Sequence, residues 1–292
     1  MDELLERREL ALEDGAISYL VGEIKPGRPS FHLLHATGFN AQTYRQILEP
    51  LTEYVNVYAS DLRGHGLGSL DANPERLDSW DVYRRDFFQL LDFIDEPIYL
   101  MGHSVGSVVS IAGALHRPDI VKGLILTEPL IYPENMMQMF DQSDPNMNPM
   151  VMGALKRRAT FDSEDAMVQN YLDRGAFKTW GESWIRDYVK GGSIANNEGG
   201  VKLSCQPEWE AKSFQVAEDT PWDDIKQLSC PTSIVYAKGA GFSTCHEVGV
   251  DKYLSLQPDT TVTVDTEASH FLPMEKSGLV IRAVKEMVSR TA

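Results

Sequence analysis

Short apolar runs at 31–35, 55–60, 97–101 and 121–127, each bounded by turn-forming or charged residues, predict buried strands. Apolar positions at helical spacing over 41–54, 80–94 and 105–116 predict helices between them. Alternation of this kind implies an α/β fold, a mostly parallel central sheet with helices on both faces. Ahead of it, the segments 9–12 and 17–24 flank Glu13-Asp14-Gly15, which predicts an antiparallel hairpin. After Pro129 the rhythm stops. Residues 132–216 show no clear strand alternation and carry Met136, Met137, Met139, Met147, Met150, Met152 and Met167 with Trp180 and Trp184, which predicts a mainly helical insertion. Alternation resumes with a strand at 231–238, a helix near 247–256, a strand at 261–265 and a last helix from about 273 to 289. The expected organisation is a core of residues 1–131 and 217–292, interrupted by a helical cap at 132–216.

Gly102-His103-Ser104-Val105-Gly106 lies where the run ending at Met101 meets the helix beginning at Val105. A serine on so tight a strand-to-helix turn has a strained backbone, and the residues two before and two after it must be small. The turn lifts the Ser104 hydroxyl clear of the sheet edge, and the helix behind it directs N–H groups toward any anion formed there. Ser104 is the candidate nucleophile. In an open parallel sheet this edge, at the carboxyl ends of the strands, is where ligands gather.

Charge narrows the partners. Lys and Arg total 27 against 43 Asp and Glu, a formal charge of −16, which disfavours nucleic acid and anionic membranes and favours a neutral substrate. The charged start, Met1-Asp2-Glu3-Leu4-Leu5-Glu6-Arg7-Arg8, lacks the apolar core of a signal peptide, and no apolar run reaches the roughly 20 residues that cross a bilayer. Cys205, Cys230 and Cys245 form no CxxC pair and no ligand-like spacing with histidine. Reduced thiols, a cytoplasmic location and no metal or other cofactor are therefore expected.

Three further segments complete the picture: His35-Ala36-Thr37-Gly38-Phe39-Asn40, Asp61-Leu62-Arg63-Gly64-His65-Gly66-Leu67-Gly68-Ser69 and Ala268-Ser269-His270-Phe271-Leu272-Pro273. With the elbow and the interrupted α/β order, they make the chain resemble the α/β-hydrolase superfamily along nearly its whole length, the cap excepted. The resemblance implies a triad in chain order serine, acid, histidine, with His270 as the base in the loop after the last strand. His103, His65 and His35 are the competing histidines, with structural roles expected for each, and Asp61, Arg63 and Gly66 match a family turn that is structural. Most members carry the acid after the seventh strand, where this chain reads Ala237-Lys238-Gly239-Ala240-Gly241-Phe242 and offers no carboxylate. A minority place it after the sixth strand, where Glu128 stands, so Glu128 is the expected acid. Glu247 and Asp251 fall late for that role, and Asp265 and Glu267 precede His270 too closely. The oxyanion hole is implied at the Val105 N–H and the Thr37 N–H, although Ala36 replaces the usual glycine of that loop.

These roles imply a serine hydrolase that cleaves a carboxylic ester of a neutral, largely apolar small molecule through an acyl-enzyme. A lactone-opening hydrolase uses the same triad. A ligand-binding homologue without catalysis is the alternative from another class. No partner beyond the small-molecule ester or lactone is expected, with a monomer or homodimer as the assembly. Activity should decline as pH falls into the range where an imidazole takes up a proton. The methionine-rich cap offers adaptable apolar contacts for an acyl or alcohol group.

Overall fold

The computed structural model describes residues 4–133, 148–239 and 241–291. Met136, Met137, Met139 and Met147 of the expected cap lie outside the described residues, as does Ala240. Strands β1 (Leu5–Leu12) and β2 (Gly15–Gly22) form the opening hairpin. Next come β3 (Ser30–Leu34), a 3-10 turn (Ala41–Tyr44) running into α1 (Arg45–Leu51), β4 (Asn56–Ser60), α2 (Asp81–Ile94), β5 (Ile98–His103), α3 (Val105–His116) and β6 (Val121–Thr127). The insertion holds α4 (Pro149–Leu155), β7 (Thr160–Phe161), α5 (Glu164–Tyr171), α6 (Glu182–Gly192), β8 (Ser193–Ala195), β9 (Val201–Leu203) and α7 (Pro207–Gln215). The chain then adds α8 (Trp222–Gln227), β10 (Thr232–Ala237), α9 (Glu247–Leu256), β11 (Thr261–Asp265), α10 (Leu272–Glu275) and α11 (Ser277–Thr291).

The large sheet has the order β1-β2-β4-β3-β5-β6-β10-β11, with β2 antiparallel to both neighbours and every pairing from β4 to β11 parallel. Its strands feed two separate cores in strict alternation. Phe31, Leu33, Tyr99, Met101, Ile125 and Val235 face one, with Leu48 of α1 and Val284 of α11. Leu34, Ile98, Leu100, Leu124, Leu126 and Ile234 face the other, with Leu90 of α2, Val109 of α3 and Val250 of α9. Both faces being covered is the reason these strands read as continuous apolar runs.

Three local differences from the sequence pattern have physical causes. The helix expected over 41–54 opens as a 3-10 turn, in which the Thr43 N–H reaches the Asn40 carbonyl at 3.2 Å and is capped by the Asn40 side chain at 3.0 Å, and it ends at Leu51, just after Pro50. The last helix is broken at Lys276, where φ is −137°; the Glu275 carboxylate accepts the Ser269 N–H at 2.7 Å and holds the short α10 against the His270 loop. The insertion, expected to be helical, also contains a three-stranded antiparallel sheet in the order β7-β9-β8. Strands of two or three residues are too short for a two-residue period to show.

The insertion is tied to the carboxyl edge of the sheet. Asn40 Nδ2 donates to the Tyr188 carbonyl at 3.0 Å, and Trp209 Nε1 donates to the Arg63 carbonyl at 2.9 Å. A Cβ at Gly64 would stand 2.3 Å from that indole nitrogen, so the residue must be glycine for the insertion to seat. Among the described residues no helix is long and apolar enough to cross a membrane.

Candidate active site

Ser104 occupies the junction of β5 and α3 at φ 56° and ψ −121°, a region a non-glycine residue adopts only under constraint. The constraint is close approach. A Cβ at Gly102 would lie 2.2 Å from the Gly106 carbonyl oxygen, and one at Gly106 would lie 2.3 Å from the Leu34 carbonyl oxygen of β3. Behind the turn, the Ser107 N–H and hydroxyl both donate to the Ser104 carbonyl, at 2.9 and 2.5 Å. Gly106→Ala should therefore lower the thermal midpoint by about 5 °C or more, since backbone must move to admit the methyl group. An unchanged melting curve would contradict this account of the turn.

Glu128 follows β6 and is fully buried at φ 45°, although a residue before proline is ordinarily extended. Its N–H donates to the Val235 carbonyl at 2.9 Å, which carries the pairing with β10 one residue further. The carboxylate is held from both sides: Oε1 accepts the Ala237 N–H at 2.5 Å and Oε2 accepts the Ser243 hydroxyl at 2.7 Å. Oε2 also lies 3.2 Å from His270 Nδ1, so two residues 142 positions apart meet inside the fold. Glu247 instead pairs with Lys238 at 2.8 Å on α9, whose length also carries Asp251. Asp265 accepts the Glu267 and Ala268 N–H groups at 2.9 and 2.7 Å, and Glu267 pairs with Lys276.

The other histidines brace the site. His103 Nε2 lies 2.8 Å from the His270 carbonyl, which can only accept, so Nε2 carries the proton and Nδ1 accepts the Tyr44 hydroxyl at 2.6 Å. Tyr44 Oη in turn accepts the Ala36 N–H at 3.3 Å, joining the Thr37 loop to the His270 loop through the buried side chains of Tyr44 and His103. Burial pushes the His103 imidazole well below its ordinary range. His35 donates from Nδ1 to the Ala36 carbonyl at 2.8 Å and accepts the Leu62 N–H on Nε2 at 2.9 Å, and burial takes it down to about 4. His65 donates to the Arg63 carbonyl at 3.0 Å. Asp61 accepts from Arg7, the Ala41 N–H and the Leu67 N–H within 3.0 Å, and a Cβ at Gly66 would strike its carboxylate. Arg63 pairs with Asp86 at 2.8 Å and with Asp14. Nothing in the local sequence marks Tyr44, Ser243 or Thr244 as part of this network.

Thr37 sits in a turn closed by the Phe39 N–H on the Ala36 carbonyl at 3.0 Å, with Gly38 at φ 78°. Thr37, Ser104, Val105 and His270 line one cavity of about 330 Å³. Its remaining walls include Trp80, Leu130, Tyr132, Met150, Phe214 and Phe242, and among the described residues no Lys, Arg, Asp or Glu lines it. The three cysteines are free, and burial pushes the Cys205 and Cys245 thiols well above their ordinary range. Among the described residues no group of three His, Cys, Asp or Glu side chains is placed to hold a metal ion.

A strained serine between the fifth strand of such a sheet and its helix is the architecture of α/β hydrolases. The chain belongs to the alpha/beta hydrolase family, whose model matches residues 33–283. It is similar to monoglyceride lipase of Rattus norvegicus, with 32% identity over 105 residues, 33% of each chain. The match thus spans about a third of that curated relative. Among solved structures, E-2-(acetamidomethylene)succinate hydrolase superposes with a TM-score of 0.79 at 18% identity, over 98% of this chain and 99% of that one. An esterase of M. tuberculosis superposes with a TM-score of 0.74 at 19% identity, over 98% and 92%. At those identities the likeness is one of fold.

Proposed function

We propose that the protein is a serine hydrolase acting on a carboxylic ester of a neutral, largely apolar small molecule, with Ser104 as nucleophile, His270 as base and Glu128 as acid. The observation that carries this reading is the buried Glu128 carboxylate 3.2 Å from Nδ1 of His270, a histidine that lines the same cavity as Ser104. With Nδ1 protonated, His270 Nε2 is free to take the Ser104 proton as Oγ attacks the ester carbonyl. The Val105 and Thr37 N–H groups stabilise the oxyanion, the alcohol leaves with the proton from His270, and water attacks the acyl-enzyme by the same route. Glu128 takes no proton in these steps and supports the imidazolium through its contact with Nδ1.

The walls favour an apolar acyl or alcohol group because their aromatic and aliphatic side chains gain from contact with one. A dicarboxylate of the kind named for the succinate hydrolase would meet no lysine or arginine there among the described residues. A neutral ester of the kind named for the monoglyceride lipase fits this chemistry better. Initial rates on 4-nitrophenyl esters of graded acyl length, beside labelling by a serine-directed fluorophosphonate, test the reading. Ester turnover with label on Ser104 is expected; a folded protein that neither turns over esters nor takes label at Ser104 would overturn it.

Phe214 of α7 also lines the cavity and packs on Val151 and Ala154 of α4. Phe214→Ala should move the preferred acyl group toward longer chains, through KM more than kcat. A length profile identical to wild type would remove Phe214 from the acyl-binding wall.

A further inference from the structure

Between β10 and α9, where most relatives are expected to carry the acid, this chain places two hydroxyls, Ser243 and Thr244, against Glu128 and His270. Thr244 is buried, and its Oγ1 stands 2.8 Å from the Glu128 carbonyl oxygen, 3.2 Å from the Pro129 carbonyl oxygen and 3.2 Å from His270 Nδ1. A threonine hydroxyl has one proton, and carbonyl oxygens only accept. The proton is therefore committed to those carbonyls, and Oγ1 presents a lone pair to the imidazole. Glu128 Oε2 stands at the same 3.2 Å from Nδ1 and is likewise an acceptor. His270 Nδ1 thus faces two acceptors, one charged and one neutral.

We infer that Thr244 is a positioning residue that, together with Glu128, fixes His270 in the tautomer with its proton on Nδ1 and orients the ring toward Ser104. The inference rests on the triad reading above. Ser243 completes the arrangement: its hydroxyl donates to Oε2 at 2.7 Å while its oxygen accepts the Cys245 N–H at 3.2 Å. The loop after β10 therefore supports an acid delivered from β6. A carboxylate seated on the neighbouring strand keeps its direction only if donors and acceptors from this loop close around it.

Thr244→Val removes the hydroxyl at nearly constant shape, and Thr244→Ser restores it. On 4-nitrophenyl butyrate, the valine variant should lose kcat about tenfold with KM unchanged, and the serine variant should recover to within about twofold of wild type. Nitrogen-15 NMR of the resting enzyme should show the His270 proton on Nδ1 in wild type and in Thr244→Ser, and a mixed tautomer population in Thr244→Val. If the valine variant does not fold, Thr244→Ala should show the same split between kcat and KM. A folded valine or alanine variant with wild-type kcat, or a wild-type spectrum with the proton on Nε2, would overturn the inference. Failure of the function itself reads differently: Ser104 would then take no fluorophosphonate label in any of these proteins.

Discussion

Glu128→Gln is expected to lower kcat on 4-nitrophenyl esters by about 10³- to 10⁴-fold, approaching the loss caused by Ser104→Ala, although it changes one atom and leaves shape intact. The size follows from how the carboxylate is held. The Ala237 N–H sits 2.5 Å from Oε1 and demands an acceptor there, so the carbonyl oxygen of the glutamine takes that place. Its NH2 then occupies the position of Oε2, 3.2 Å from His270 Nδ1, and presents donors where the imidazole needs an acceptor. The proton moves to Nε2 and the base is lost. The Ser243 hydroxyl can reverse and accept from the amide, which stabilises this inactive arrangement. Steady-state kinetics beside a thermal melt distinguishes the effect from unfolding. A folded Glu128→Gln within tenfold of wild type would remove Glu128 from the triad.

Acid should unfold this protein steeply between pH 6 and 5, through histidines that take no part in the proposed chemistry. Burial takes His32 down to about 3 from an ordinary 6.5, His65 to about 3 and His35 to about 4, and it holds His103 well below the same value. Above pH 6.5 folded and unfolded states are both neutral at these positions. Below it the unfolded chain takes protons that the folded chain refuses, so unfolding is favoured as pH falls. Four protons at about 1.4 kcal/mol each per pH unit give a limiting slope of about 5 kcal/mol per unit. From pH 6.5 to pH 5 that slope removes about 7 kcal/mol, about half or more of an ordinary stability of about 5–15 kcal/mol. His32 has no hydrogen-bond partner on either ring nitrogen among the described residues, so no hydrogen bond offsets a charge there. Urea midpoints at pH 7, 6 and 5 measure the effect. A midpoint unchanged across that range would show that these imidazoles accept protons in place.

Much of the fold is legible in the amino-acid sequence. The apolar runs place the parallel strands of the large sheet within a residue or two, and the central ones, β3, β5, β6 and β10, read as largely apolar because both of their faces are buried. Gly102, Ser104 and Gly106 stand out because steric exclusion at a tight turn acts over a few neighbouring residues. The roles proposed for His270 and Glu128 come from the family resemblance. The three-stranded sheet of the insertion leaves no trace in the pattern, since pairing rather than periodicity defines strands so short.

The sequence by itself determined what local sterics and periodic burial encode: the α/β order and the tight, glycine-flanked turn at Ser104. Only the tertiary structure decided what passes between distant segments. Strand order lays β6 beside β10, and that adjacency brings Glu128 to the Ala237 N–H and to His270. The same packing threads Tyr44 to His103 and sets Thr244 against the imidazole. Hydrogen bonds of this kind depend on ångström-scale positions fixed by the whole core, and no short stretch of residues contains that information.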